Sequence, residues 1–340
     1  LPWRPGREAA DDNEESLDCP EPMVLNRLLC TDALMNDLAV VFLTFNRPDS
    51  AARALRHIRL AQPEHLFFVS DGARDDRPDE ESLVRETRAL VDTVDWPCRV
   101  HRIFAQQNMG CAQRVSSAVT KALETVDRVV VLEDDCVPDP TFFGYCQTLL
   151  DRYADDQRVM SITGNNFQLG RSRTECSYYF SKYAHCWGWA TWRRAWQHFD
   201  LSLSRWPDIR DSGQLAAICP DPYELEYWTD NFDRVFAGQI NSWAFPWNLA
   251  CWLNHGLVAT PNVNLVSNVG CGDDATHTRK RTSVIGLPTQ ALGSMRHPER
   301  VMQNVAADRF VDHWVFSGIH RPGPLKRLRR RLGITRRRAA

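Results

Sequence analysis

Three consecutive acids, Glu133, Asp134 and Asp135, close the apolar run Arg128 to Leu132. Carboxylates this close repel one another unless a cation lies among them. Hard divalent ions such as Mg2+ or Mn2+ take carboxylate oxygens and keep positions open for a diphosphate. A metal clamp on a leaving diphosphate is Lewis-acid catalysis, with several kcal/mol of charge stabilisation. The competing reading is a solvated acidic turn or a helix N-cap, but Cys136-Val137-Pro138 does not start a helix directly. His277 also suggests chemistry. It lies in a Gly- and Asp-rich stretch (GCGDDATHT) instead of an apolar periodic segment, and imidazole is an acceptable ligand for Mn2+. A structural or solvent-exposed histidine is the alternative.

The elements that must position these groups are regular from Asp37 onward. Leu38 to Thr44 is a continuous apolar run, as expected for a parallel strand buried on both faces. Pro48 opens a helical pattern through Leu60, at a first turn that does not need its missing N–H. His65 to Ser70 is a second strand, residues 79–94 form an acidic-started amphipathic helix, and Arg99 to Ala105 is a third strand. Gln113 to Val126 is another helix, and Arg128 to Leu132 a fourth strand. This alternation predicts an α/β fold, a mostly parallel central sheet with helices on both faces.

Such sheets bind ligands beyond the carboxyl ends of their strands. Thr44-Phe45-Asn46-Arg47, Ser70-Asp71-Gly72 and the acidic triplet all sit just past strand ends, and Asn108-Met109-Gly110 follows the third strand. They are expected to line one crevice. After residue 140, Val159 to Thr163 reads as one more strand. Tyr178 to Trp196 is crowded with aromatics, and Trp206, Trp228, Trp243, Trp247 and Trp252 follow. These rings suit either the walls of an acceptor site or an irregular core. A short helix is expected around Met23 to Leu34, and no internal repeat or long low-complexity linker is present.

Bulk properties bound the rest. At 340 residues, 43% hydrophobic and 25% charged, the chain suits one large α/β domain or two small ones. It has no apolar run long enough to span a membrane, and Leu1 to Asn36 lacks the apolar core of a signal peptide, so secretion is not expected. The 11 cysteines are scattered without a C-x-x-C pair, which suits a reduced, cytoplasmic protein. Nine of the 41 Lys and Arg residues fall in 321–340, which holds no acid, so the tail is basic and the body acidic. An acidic body repels phosphate backbones, which argues against nucleic acid as a partner. The tail is expected either to touch anionic lipid on the inner face of the cell membrane or to be disordered.

The order strand-TFNRP, strand-SDG, Gln107-Asn108-Met109-Gly110-Cys111 before a helix carrying Arg114, and strand-LEDD resembles the nucleotide-binding half of GT-A glycosyltransferases. In that family the Asp after the second strand contacts the base, the Arg lies near the nucleotide, and the last acid of the triplet holds the metal. By position these are Asp71, Arg114 and Asp135. Thr44, Asn46, Arg47, Asn108, Glu133 and Asp134 fall in the same nucleotide-binding segments, and a C-terminal His, here His277, often completes the metal site. The triplet is written E-D-D, as in the branch resembling N-acetylglucosaminyltransferase I. Cys186-Trp187-Gly188-Trp189, Trp243 to Trp247 and Gly256 to Pro261 occur in an order similar to that branch. The stretches Asn264 to Gly270 and Asp274 to Thr278 look like a bacterial subgroup found beside polysaccharide genes.

The resemblance covers residues 37–285 and implies a GT-A (Rossmann-like nucleotide-diphospho-sugar transferase) fold. It also implies Mn2+ or Mg2+, a nucleotide-sugar donor with UDP favoured, and a glycan or lipid-linked glycan acceptor. The division expected is an extension at 1–36, a nucleotide-sugar half at 37–150, an acceptor half at 151–285, and a C-terminal extension with the basic tail at 286–340.

One departure matters. Where the resembling branch has a W-D-x segment whose carboxylate deprotonates the acceptor, this chain has Trp243-Ala244-Phe245, and a methyl cannot take a proton. That leaves a base from elsewhere, a retaining reaction, or lost activity. Asp230, Asp233 and Asp274 are the available acids. The first two share a face of a segment that reads as helical, the third is close in sequence to His277, and each is equally readable as a surface carboxylate. A non-catalytic binding protein on a degenerate GT-A scaffold is the rival reading. A sugar-nucleotide pyrophosphorylase would need a Gly-rich turn after the first strand, and Thr44 to Pro48 has no glycine.

Overall fold

The apolar run after Asp37 folds as β1 (Ala39–Thr44), buried at every position, in a computed structural model that describes residues 37–270 and 284–320. Its successive side chains point to opposite faces. Val40 and Phe42 join Leu66, Phe68, Val130 and Leu132 in one cluster, while Val41 and Leu43 join Phe67, Val69, Val129 and Val131 in another. A strand apolar on both sides is stable only between two layers. α1 (Pro48–Ala61) covers the first face with Ala51, Ala54, Leu55 and Ile58, which recur every three or four residues. Each large side chain fully buried this way contributes about 1.5–3 kcal/mol. The helix ends at Gln62, whose left-handed φ of 44° lets its N–H reach Ile58 O at 3.2 Å.

β2 (His65–Ser70), α2 (Glu80–Ala89), β3 (Arg99–Phe104), α3 (Cys111–Thr125) and β4 (Arg128–Glu133) follow. The helix expected over 79–94 is α2 continued by a tighter 3-10 turn at Leu90–Thr93. α3 starts at Cys111, ahead of the expected Gln113, because Gly110 at φ 76° turns the chain directly into it. β3 forms one edge of the sheet, and its exposed Arg99 and Arg102 suit an edge that must not pair further.

The rest of the described chain comprises β5 (Cys136–Pro138), α4 (Thr141–Arg152), β6 (Val159–Thr163), β7 (Tyr178–Ser181), β8 (Trp189–Trp192), α5 (Arg193–Trp196), α6 (Trp206–Asp211), α7 (Gln214–Ile218), α8 (Pro222–Phe236), α9 (Ala244–Leu253), β9 (Leu257–Pro261), β10 (Val266–Asn268) and α10 (Val305–Val311). The main sheet has eight strands in the order β3-β2-β1-β4-β8-β6-β9-β7, with only β7 and β8 running against the others. β5 and β10 form a separate antiparallel pair. α1 and α4 pack on one face of the sheet, α3 and α9 on the other. The α/β class with a mostly parallel sheet and helices on both faces is the one observed, and strands on both sides of residue 150 share it.

The crowded aromatics are largely core. Trp189, Trp206 and Trp247 are at most 1% exposed, and Trp206, Trp228, Phe232 and Trp252 pack together under α6, α8 and α9. The eight cysteines among the described residues are unpaired. Among those residues no helix is long and apolar enough to cross a membrane. The helix expected around Met23 to Leu34 and the basic tail lie outside the described residues.

Candidate functional site

The sheet order creates the site. The chain moves outward from β1 to β2 and β3, then returns to place β4 on the other side of β1. At such a switch point the connections leave in opposite directions and a crevice opens beyond the strand ends. Leu43 pairs with Glu133 across this point, so Thr44-Phe45 and Asp134-Asp135 emerge side by side. A cleft of about 290 Å3 lies there, lined by Thr44, Arg47, Asp71, Asn108, Arg114 and the whole acidic triplet.

The acids are held from both sides. The Phe45 N–H donates to Asp134 Oδ2 at 3.2 Å, and the Arg47 guanidinium bridges Asp134 and Asp135, reaching Asp135 Oδ2 at 3.1 Å. Burial works against the charge on Arg47, but Asp134 and Asp135 outweigh it and raise its pKa. Burial, with Asp135 and Asp134 as neighbours, pushes the Glu133 carboxyl up to about 8. Burial pushes Asp134 up to about 6, with Arg47 pulling the other way. On the far side, the β5–β10 ladder sets Asn268 opposite Cys136, and Asn268 Nδ2 donates to Asp135 Oδ1 at 2.9 Å. Gly270 is against the same carboxylate, where an added Cβ would be 2.0 Å from Asp135 Oδ2.

Among the described residues no three Asp, Glu, His or Cys side chains converge as a metal cage. Glu133 and Asp135 do line the cleft, and Asn268 fixes one oxygen of Asp135 from behind. One or two carboxylates completed by diphosphate oxygens and water is the donor set Mg2+ favours. The carboxylate oxygens at the cleft therefore fit the chemistry of a hard divalent ion.

Asp71 builds the opposite wall. Its Oδ1 accepts from the N–H groups of Gly72 and Met109, both at 2.9 Å, and its Oδ2 accepts from Gly110 N–H at 3.0 Å. Asn108 Nδ2 donates to Gly72 O at 2.8 Å. Arg114 is 7% exposed and donates to Ile103 O at 3.0 Å, but its Nε is buried without a partner among the described residues. Burial lowers its pKa. The side chain lines the cleft, so its guanidinium brings positive charge to that wall.

Several expected residues serve otherwise. Asn46 turns away from the cleft and donates to Glu80 Oε1 at 3.1 Å. Thr44 lines the cleft, but its hydroxyl is committed to Val69 O at 2.8 Å. Asp233 accepts from Trp206 Nε1 at 2.9 Å and from Arg210 at 3.1 Å, and Asp230 faces Arg234 at 3.9 Å. Neither aspartate lines a cavity next to the acids, because α8 presents Tyr227 and Trp228 there instead. Asp274 and His277 lie outside the described residues.

Other site residues were not anticipated from the sequence. Arg74 lies over the Phe45 ring at 5.6 Å, and Arg88 ties together the ends of β2 and β3 through Asp71 O at 3.0 Å and Ala105 O at 2.6 Å. Asn241 accepts from Ala112 N–H at 2.9 Å at the start of α3. Arg74 and Arg88 belong to the helix side of the β2 turn, where a charged residue ordinarily means solvent. A second cavity, of about 390 Å3, shares Cys111, Glu133 and Trp187 with the cleft and is walled by aromatic rings. Ala244 lines it.

The α/β sheet and its switch-point cleft define the class of this domain. No protein-family model matches the chain, and no curated protein matches it. Solved structures with some likeness include a cytidylyltransferase from Leptospira borgpetersenii serovar Hardjo-bovis, 14% identical over 56% of this chain and 71% of that one, with a TM-score of 0.31. A UDP-glucose pyrophosphorylase complexed with UDP-glucose is 13% identical over 44% of this chain and 64% of that one, with a TM-score of 0.26.

Proposed function

We propose that the chain is a metal-dependent glycosyltransferase that moves a sugar from a nucleotide-diphospho-sugar to a hydroxyl of a glycan or lipid-linked glycan. The observation that carries this reading is the convergence of Arg47, Arg114 and the acidic triplet on one cleft at the β1–β4 switch point. Both guanidiniums line the cleft and suit a diphosphate. Asp135, with Glu133 beside it and His277 following in the sequence, would hold Mn2+ or Mg2+. When bound, the ion would neutralise charge on the leaving diphosphate. UDP is the favoured nucleotide by resemblance to the E-D-D branch.

Transfer makes a bond from the acceptor oxygen to the sugar C1 and breaks the bond from C1 to the diphosphate. In an inverting transfer the acceptor proton needs a base; Asp230 and Asp233 line neither cavity, and Asp274 is the acid proposed for the role. Asp274→Asn should then lower kcat by about 10²–10⁴-fold while donor affinity stays near normal. Protein localisation follows the tail: a cytoplasmic protein touching the inner membrane face through residues 321–340. Deleting the tail should weaken sedimentation with anionic vesicles and leave donor hydrolysis unchanged.

A second reading, a binding protein without turnover, is favoured by Ala244 standing in the aromatic cavity where a carboxylate was expected. Thermal shift with UDP-, GDP-, CMP- and dTDP-sugars in Mn2+ finds the donor, since a ligand stabilises by the logarithm of its excess over Kd. Nucleotide release from that donor then separates enzyme from scaffold.

A further inference from the structure

Several polar side chains besides Glu133 line the aromatic cavity, among them Tyr183, His185, Ser242 and Asn248; Asn248 Nδ2 and Trp228 Nε1 are buried there with no hydrogen-bond partner among the described residues. His185 lines it and is 6% exposed, with its ring packed on Phe167 at 4.5 Å and near Phe316 at 6.1 Å. The Thr163 hydroxyl bonds the His185 backbone carbonyl at 3.1 Å, and among the described residues nothing bonds its ring nitrogens. Burial keeps the imidazole neutral, with its pKa pushed down to about 3. A neutral imidazole offers one N–H and one lone pair, the complement of a hydroxyl or an amide. Buried polar groups are ordinarily hydrogen-bonded, so unpartnered ring nitrogens on His185, with Asn248 Nδ2 and Trp228 Nε1 also unpartnered along the same walls, point to a ligand.

The lining narrows the chemistry of that ligand. Among the described residues no Lys or Arg lines the cavity, and its one carboxylate is Glu133, so an anion would enter without a counterion. Trp187 borders both the cavity and the nucleotide cleft, and Trp228 and Phe245 meet edge to face at 5.8 Å. A pyranose suits such walls: one face of the ring is apolar C–H, and its rim carries hydroxyls. Aromatic walls with a few placed polar groups are the usual form of a small-molecule site.

We propose that this cavity takes a neutral sugar ring of the acceptor, and that His185 is the hydrogen-bonding contact that orients it. The word acceptor rests on the transferase reading above; the binding of the sugar does not. The full chain, without nucleotide, is titrated with methyl glycosides of glucose, galactose and mannose, their N-acetylated 2-amino forms, and glucuronic acid, followed by tryptophan fluorescence. At least one neutral glycoside should bind, and the glucuronide should bind about tenfold more weakly. Preference between the plain and N-acetylated forms tells whether a hydroxyl or an acetamido group meets His185.

His185→Phe should weaken the neutral glycoside by about fivefold, the effect of one neutral hydrogen bond, and His185→Gln should retain most of the affinity. Deoxy glycosides on the wild-type chain give the same reading if the Phe variant fails to fold, since one deoxy position should reproduce the loss. The inference is overturned if no neutral glycoside binds, if the glucuronide binds as well as the neutral sugars, or if neither His185→Phe nor any deoxy sugar lowers affinity. Sugar binding without nucleoside-diphosphate binding would overturn the transferase reading and leave this one standing.

Discussion

Asn268 Nδ2 donates to Asp135 Oδ1 at 2.9 Å across 133 positions of the chain. The contact exists because β10 pairs with β5, which brings Asn268 opposite the residue after Asp135. With one oxygen held from behind, the other is oriented by Arg47 at 3.1 Å. Groups that hold a ligating side chain this way tune a metal site nearly as much as the ligand itself.

Asn268→Ala should therefore weaken Mn2+-dependent binding of a nucleoside diphosphate by about 10–100-fold, while the melting temperature changes little. Calorimetry on the variant and the wild type checks this. Equal affinity would mean that Asp135 does not depend on Asn268 for its placement.

Gly110 sits at φ 76°, a conformation that strains any residue with a side chain, and donates its N–H to Asp71 Oδ2 at 3.0 Å; an added Cβ would also displace the Asn241 amide, 2.5 Å away. Gly110→Ala should cost about 1–3 kcal/mol of stability through backbone strain. It should also weaken nucleotide binding, because Asp71 and Arg114 are ordered through this turn. Urea midpoints and nucleotide titration read the two effects separately.

His185 gives a pH dependence with a definite sign. Its imidazole is held at about 3, below the ordinary 6.5, so as pH falls the unfolded chain takes up the proton first. Its contribution to stability is complete above the ordinary value and is lost as pH falls from there toward the folded value, at about 1.4 kcal/mol per pH unit. His185→Gln removes that titration, so the stability difference between variant and wild type should shift in favour of the variant on acidification. Urea unfolding at neutral and mildly acidic pH measures it, and parallel pH profiles would contradict it.

The first half of the sheet was legible because its signals are local. An apolar run, Pro48 at a helix start and acids at a strand end each act within a few residues, so β1, α1, β2 and the position of the triplet followed directly. Side-chain direction past a strand end is not local, and Asn46 turns to Glu80 because α2 brings that buried carboxylate to it. Asn241 and Asn268 reach the site only through distant packing, which no spacing announces. Asp230 and Asp233 were correctly given one helix, but the face of α8 that borders the cavity is set by Tyr227 and Trp228, whose aromatic burial outweighs any carboxylate. The tryptophans split the same way: most fill the core, while Trp187 borders both cavities and Trp228 and Trp243 also line the second.

Nucleotide-sugar turnover that depends on Asp135 is read by nucleotide release. UDP-, GDP-, CMP- and dTDP-sugars are incubated with the full chain in Mn2+, beside Asp135→Ala and a chelator control. Slow release is expected from at least one donor, a UDP-sugar first, abolished by the chelator and in Asp135→Ala while the variant stays folded. Release that continues unchanged in Asp135→Ala, or a chain that neither binds nor turns over any of these donors, would contradict it.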